Sequence, residues 1–218
     1  MRIVRAGESW AASAAEVIAR LLGDALASRS RASWAVSGGS TPAAVFAELR
    51  QATIDWARVD VFQVDERVAP LGDTARNLTD LQSLLLDHVP ATVYPMPVNE
   101  TNLDQAAADY GALLPESLDV VHLGLGSDGH TASLVPEDPV LRVSDRPVAL
   151  TGIYAGHRRM TLTFPTLNAA ASRVWIVGDG KASMLARLLA ADPAIPAGRI
   201  THQRSVLVTS EAGDDSAR

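Results

Sequence analysis

The sequence predicts an α/β fold with a mostly parallel sheet covered on both faces. Three observations carry that prediction. Strand-like and helix-like patterns alternate from one end of the chain to the other, which is the signature of strand–helix–strand units. The strand-like runs are short, continuous and rich in Val and Leu, as suits strands buried on both sides. Glycines cluster directly after several of these runs, where the backbone must turn sharply out of the sheet. The 218 residues, 47% hydrophobic and 20% charged, are enough for one globular unit with a full core.

The elements follow in order. Residues 2–5 suit a short edge strand. Residues 8–27 are Ala-rich, with Ala11, Ala14, Ala15, Ile18 and Leu22 at helical spacing. Residues 33–36 form a strand that runs into Ser37-Gly-Gly-Ser-Thr-Pro42 and a helix over 43–50. Thr41 or Ser40 suits the N-cap there, and Pro42 the first turn. Residues 59–64 form another strand, ended by the charge cluster Asp65-Glu-Arg67, which reads as a loop. Asn77 lies in a polar segment before a helix over 78–86. A short strand surrounds Val93 and Tyr94, a helix covers 103–114, and the central strand covers 119–125. The chain is loop-like from Pro136 to Arg146. Strands are expected at 148–150, 158–164 (closed by Pro165), 173–177 and 205–209. The helix over 182–191 follows Gly178-Asp-Gly-Lys181, and residues 213–218 form a tail. No internal repeat or linker divides the chain.

Composition excludes several function classes. With no cysteine there is no disulfide, thiolate nucleophile or Cys-based zinc site, and a reducing, cytoplasmic setting fits. No signal peptide and no run near ~20 apolar residues is present, so no membrane partner is expected. The formal charge of −6, with no basic run, argues against nucleic acid. Of the 19 Lys and Arg, only Lys181 is lysine. A chain that otherwise uses arginine keeps one compact ammonium, a point charge suited to phosphate.

Chemistry concentrates at the central strand's exit, Gly124-Leu-Gly-Ser-Asp-Gly-His-Thr-Ala-Ser-Leu-Val-Pro136. Asp128 and His130 sit among glycines where open α/β sheets bind ligands. Of the five histidines, His130 alone combines flanking glycines with a nearby acid, whereas His122, inside the apolar strand, reads as structural. No histidine pair stands at i, i+4, so a helical zinc site has no support. Gly38, Gly39, Ser40 and Thr41 offer free N–H groups and room for an anion at a helix start. Arg67, Arg158 or Arg159, and Lys181 are the candidate phosphate cations, with Asp65 and Asn77 close to the same strand ends. Gly124-Leu-Gly-Ser-Asp-Gly129 matches the dinucleotide fingerprint, yet Asp128 would face the pyrophosphate and Pro136 curtails the required helix, so no nicotinamide cofactor is expected. Gly178 to Ala182 lacks the earlier glycine and the final hydroxyl of a P-loop.

Taken together, Ser37-Gly-Gly-Ser-Thr-Pro42, Asp65-Glu-Arg67, the 124–136 stretch and Arg159-Met-Thr-Leu-Thr-Phe-Pro165 resemble the 6-phosphogluconolactonase family, over nearly the whole chain. The resemblance implies a three-layer α/β/α, Rossmann-like fold shared with glucosamine-6-phosphate isomerases and deaminases, as one lactonase domain over residues 1–212. It also implies hydrolysis of 6-phosphoglucono-δ-lactone in the pentose phosphate pathway. Val208-Thr-Ser-Glu-Ala212 departs from the family's usual Trp and Asp-x-Ala-Ala ending. The deaminase relatives carry a glutamate five residues after the histidine; that position here is Val135. A sugar-phosphate sensor is the other alternative, but it would need a DNA-binding segment, and no basic helix pair is spare.

The implied mechanism uses neither metal nor cofactor. His130 takes a proton from the attacking water and returns it to the ring oxygen. Asp128 or Asp65 orients the imidazole, and backbone N–H groups or Arg67 stabilise the oxyanion. Gly38 to Thr41, Asn77, Arg158 or Arg159, and Lys181 hold the substrate. The expected partner is the small-molecule lactone alone, with the protein a monomer or weak homodimer.

Overall fold

The computed structural model describes residues 1–39 and 42–210. Ten strands are described: β1 (Arg2–Arg5), β2 (Ala32–Val36), β3 (Val59–Gln63), β4 (Asp65–Arg67), β5 (Thr92–Tyr94), β6 (Val120–Leu123), β7 (Val148–Tyr154), β8 (His157–Leu162), β9 (Ser172–Val177) and β10 (Ser205–Thr209). The α-helices among the described residues are α1 (Trp10–Ser28), α2 (Pro42–Leu49), α3 (Asn77–Leu84), α4 (Leu103–Leu113), α5 (Phe164–Ala169) and α6 (Ala182–Leu189). Seven strands form a parallel sheet in the order β1-β10-β9-β6-β2-β3-β5, and β4-β8-β7 form a second, antiparallel sheet. The expected α/β architecture with a mostly parallel sheet is therefore present.

Side-chain alternation divides the core into two layers. Trp34 and Val36 of β2, Val120 of β6, and Val174 and Ile176 of β9 pack on one side, with Ile18 and Leu22 of α1 and Phe46 of α2. Ala35, Val121, Leu123, Trp175 and Val177 pack on the other, with Tyr110 of α4, Leu188 of α6, and Met160 and Leu162 of β8. Both faces of the large sheet are thus dry, which explains why its strands read as unbroken apolar runs.

Strands β2 and β6 are neighbours, in register Trp34↔Val120 and Ala35↔Val121. From β2 the connection leads outward to β3; from β6 the chain proceeds to β9 on the other side. This is the topological switch point, where the loops leaving two adjacent strands diverge and open a crevice. At the opposite end of the same pair, the Ser33 amide and hydroxyl both donate to Asp119 Oδ2, at 2.8 and 2.9 Å.

Four sequence expectations need correction. The charge cluster 65–67 is not a solvated loop: it is β4, paired with β8 through Asp65↔Thr161 and Arg67↔Arg159. Asp65 and Glu66 are buried. Strand alternation turns Asp65 and Arg67 one way and Glu66 the other. Asn77 opens α3 and does not precede it. Pro165 lies in the first turn of α5, where a missing N–H costs nothing, so it starts a helix and β8 ends at Leu162. The strand expected at 148–150 runs on to Tyr154. Ser40, Thr41 and the tail lie outside the described residues.

Glu66 ties these pieces together. Its Oε1 accepts from the Arg67 and Asn77 amides at 2.8 and 2.7 Å. Its Oε2 accepts from the Gln63 side chain and the Leu78 amide, both at 2.8 Å. Arg76, 2% exposed, stands 3.5 Å away. One carboxylate thus neutralises the start of α3 and a buried guanidinium. Glu66→Ala leaves the guanidinium with its Asn99 bond at 2.6 Å but no counter-charge, leaves the helix amides unpaired, and is expected to lower stability by about 3–5 kcal/mol; an unchanged urea midpoint would contradict the role.

His122 is enclosed at 1% exposure, its Nδ1 has no partner, and burial holds its pKa at about 4. An unfolded chain with its histidine near 6.5 binds the proton more strongly. Stability from this residue is therefore full above about pH 6.5 and is lost as pH falls toward 4, by up to ~3 kcal/mol at ~1.4 kcal/mol per pKa unit. Urea midpoints taken between pH 7 and 4 should fall less steeply for His122→Gln than for the parent. Parallel curves would rule this out.

Candidate active site

Beyond Leu123, the chain leaves the sheet and folds back on itself. The Gly126 amide donates to the His130 carbonyl at 2.8 Å, and the Gly129 amide to the Gly126 carbonyl at 3.1 Å. Glycine is required at 126 because a Cβ there would stand 2.1 Å from His130 Nδ1. The bend is propped from below, where the Ala197 amide donates to the Gly129 carbonyl at 2.9 Å.

This bend creates the central pair. The His130 Nδ1 lies 2.6 Å from Asp128 Oδ1, and the same oxygen accepts from the His130 amide at 3.1 Å. Burial pushes the Asp128 carboxyl up. The His130 amide, the charge and ring of His130, and the Tyr154 hydroxyl together outweigh it and hold the group below its usual range. Asp128 is therefore an ionised acceptor. With Nδ1 as the donor to Asp128, the His130 Nε2 carries the free lone pair.

A cleft of about 320 Å³ opens beside this pair at the switch point. Its walls come from the β2 exit (Ser37, Gly38, Gly39), from β4 (Asp65, Arg67), and from Asn77, Arg159, Lys181 and the 124–132 bend. Gly38 is forced to be small: a Cβ there would meet the Asn77 side chain at 2.0 Å. Asn77 donates to the Asp65 carbonyl at 2.9 Å, locking α3 against β4. Lys181 donates its ammonium to the Leu125 carbonyl, and burial lowers its pKa. The lone ammonium and the glycine bends thus converge on the space beside the imidazole.

Asp65 is placed differently from Asp128. It accepts from the Ser133 hydroxyl at 2.6 Å, while Arg159 Nη1 lies 3.4 Å from that hydroxyl and 4.0 Å from Asp65 Oδ2. Burial raises its pKa, against the opposing pull of Ser133, Arg67 and Arg159. Among the described contacts, Asp128 and not Asp65 bonds the imidazole.

The two adjacent arginines separate cleanly. Arg159 is 6% exposed and lines the cleft. Arg158 is exposed, outside the cleft, and reaches only the Thr151 carbonyl at 3.4 Å. Successive residues of a strand face opposite ways, so only one of the pair can enter the cleft. The expectation for Arg158 therefore gives way to Arg159. Among the described residues, four buried polar atoms of the cleft residues have no hydrogen-bond partner: Arg67 Nε, Asn77 Oδ1, His122 Nδ1 and Arg159 Nε.

Several residues at the site were not singled out from the sequence, Tyr154 among them, whose hydroxyl donates to Asp128. Ser133 holds Asp65, and His122, Ser127 and Ala132 line the cleft. Ser133, three residues beyond His130, carried a signal in its nearness to the motif; His122 carried none beyond a polar group in an apolar strand. Among the described residues, no group of three or more His, Asp or Glu side chains is placed to hold a metal ion. Among the described residues, no helix is long and apolar enough to cross a membrane.

Comparison with known proteins bears on this geometry. Residues 5–209 match the family model described as glucosamine-6-phosphate isomerases/6-phosphogluconolactonase. The 6-phosphogluconolactonase of Streptomyces coelicolor is 36% identical over 206 residues, covering 82% of this chain and 77% of that one. The 6-phosphogluconolactonase of Synechocystis is 34% identical over 210 residues, covering 88% and 87%. Among solved structures, a 6-phosphogluconolactonase from Shewanella baltica aligns with a TM-score of 0.84 at 26% identity, covering 95% of each chain. The Thermotoga maritima 6-phosphogluconolactonase, at 22% identity and a TM-score of 0.86 over 95% of this chain and 98% of that one, shares the fold. The chain belongs to the glucosamine-6-phosphate isomerase/6-phosphogluconolactonase family.

Proposed function

We propose that this protein hydrolyses 6-phospho-D-glucono-1,5-lactone to 6-phospho-D-gluconate, the lactone-opening step of the oxidative pentose phosphate pathway. The observation that carries the reading is the 2.6 Å contact between Asp128 and His130 on the wall of a cleft that also holds Lys181, Arg67 and Arg159.

The chemistry follows from that arrangement. A lactone carbonyl is already an activated ester, so water assisted by one base suffices. The His130 Nε2 takes the proton as water attacks, while ionised Asp128 stabilises the imidazolium that forms. The same proton then passes to the departing ring oxygen. The charge that develops on the carbonyl oxygen is met by N–H groups of the glycine bends or by Arg67. Lys181, Arg159 and the Gly38–Gly39 backbone hold the 6-phosphate, and Asn77 and Asp65 meet sugar hydroxyls. Ser40 and Thr41 belong to the same phosphate assignment. Three cations in one cleft concentrate an anionic substrate on a chain of net charge −6. No metal or cofactor is assigned, and the protein is taken to act in the cytoplasm as a monomer or weak homodimer, without nucleic-acid or membrane partners.

The deaminase alternative needs a second proton carrier near the imidazole to move hydrogen between carbons. The corresponding residue, Val135, is an apolar side chain 4% exposed. The sensor alternative predicts binding without turnover. Freshly generated lactone, assayed against its spontaneous hydrolysis, separates these readings. The parent should open the lactone and His130→Ala should be about 10²- to 10⁴-fold slower, while still binding 6-phosphogluconate in calorimetry. A parent rate equal to the background would end the lactonase reading, and full activity in His130→Ala would remove the imidazole from the mechanism.

A further inference from the structure

Strands β7 and β8 form an antiparallel hairpin whose tip, Ala155 and Gly156, lies at φ of 47° and 85°. Such a positive pair matches the tight two-residue turn favoured between twisted strands. The ladder pairs Leu150↔Met160 and then Ile153↔Arg158, so β7 carries one residue more than β8 between those points. This bulge inverts the alternation beyond it. Ala149 pairs with Thr161 and Tyr154 with His157, and positions 157, 159 and 161 share one face of β8. Ala149 and Tyr154, an odd five positions apart, therefore face the same side. Side-chain bonds pin the irregularity: the Arg159 amide donates to Thr151 Oγ1 at 3.1 Å, and the Gly152 amide to Asp138 Oδ2 at 2.8 Å.

The consequence is a phenol beside the imidazole. The Tyr154 hydroxyl donates to Asp128 Oδ2 at 3.0 Å and lies 3.4 Å from His130 Nδ1. The two rings meet edge to face with centroids 5.4 Å apart. On its other flank, the Arg159 guanidinium carbon stands 5.1 Å from the phenol centroid. The ring is thus held from two directions while its hydroxyl occupies the Asp128 oxygen that His130 does not use.

We propose that Tyr154 is a positioning residue of the catalytic pair: its hydroxyl fixes the outer oxygen of Asp128, keeps the inner oxygen aligned with His130, and moderates the carboxylate's hold on the ring. A hydrogen bond donated to a carboxylate stabilises its charge and reduces its basicity. Tyr154 stays a donor, because burial and the neighbouring Asp128 raise its pKa. Without the hydroxyl, Asp128 pulls harder on the imidazole proton, and His130 becomes more basic. The other charged or titratable groups on the same cleft are Asp65, Arg67, His122, Arg159 and Lys181; of these Arg159 also faces the Tyr154 ring, which a Tyr154→Phe change keeps in place.

This inference rests on His130 acting as the base, so its test includes a readout that needs no substrate. In Tyr154→Phe, which keeps the ring and its stacking, the His130 imidazole is followed by NMR titration, with His130→Gln assigning its signal among the five histidines. The midpoint is expected to rise by roughly half to one pH unit. The acid limb of kcat/KM for the lactone should rise by the same amount, since that limb reports the free enzyme's base. Turnover should fall about 3- to 10-fold with KM little changed. Titration curves and acid limbs that superimpose on the parent's would overturn the proposal, whatever happens to turnover. If the parent fails to open the lactone, the lactonase reading fails, but the titration still decides the role of Tyr154.

Discussion

The parallel pairing of β2 with β6 is the constraint on which the rest depends. Because their onward connections run in opposite directions, the loops leaving these two strands cannot cover each other. The gap they leave holds the glycine bend before α2 and the histidine bend after β6 side by side. Any register slip would turn the strands' apolar residues out of one layer and into the other. The same dry packing that stabilises Trp34, Val121 and Trp175 therefore also sets where the imidazole and the anion cradle meet.

Around that gap, polar groups are held by other polar groups. Glu66 anchors the start of α3, Asn77 anchors β4, Ser133 anchors Asp65, and Asp128 anchors His130. The first three anchors join β4 to neighbouring segments and the fourth closes a single bend, which is the pattern expected where side chains must be fixed before substrate arrives. The unpartnered nitrogens of Arg67 and Arg159 and the free Asn77 oxygen stand out against this background. They mark where a ligand that offers acceptor oxygens to the two guanidinium nitrogens and a hydroxyl donor to Asn77 would complete the set.

Much of this was legible in the residues. Strand–helix alternation revealed the architecture because buried parallel strands leave unbroken apolar runs. His130 and Asp128 were legible because few structures need an imidazole and an acid among glycines at a strand exit, and Lys181 because it is the single lysine among arginines. What escaped depends on pairing between distant segments. The choice between Arg158 and Arg159 is a matter of parity, and parity has meaning only once β8 is known to pair with β4 and β7. Asp65-Glu-Arg67 looked solvated because its burial comes from Arg76, Asn77 and Ser133, none of them adjacent in the chain. Tyr154 was hidden most deeply, since a bulge resets the alternation that would have placed it. Orientation of the imidazole, open between two carboxylates in the sequence, turns on a local two-residue return that only coordinates display.

In the proposed function, one cleft grips a phosphate while presenting a carbonyl carbon to His130. A crystal structure with 6-phosphogluconate bound tests it most directly. The phosphate is expected against Lys181, Arg159 and the Gly38–Gly39 backbone, with a carboxylate oxygen within hydrogen-bonding reach of the His130 ring. A product seated outside this cleft, or lying with its phosphate against His130 and its carboxylate at Lys181, would contradict it.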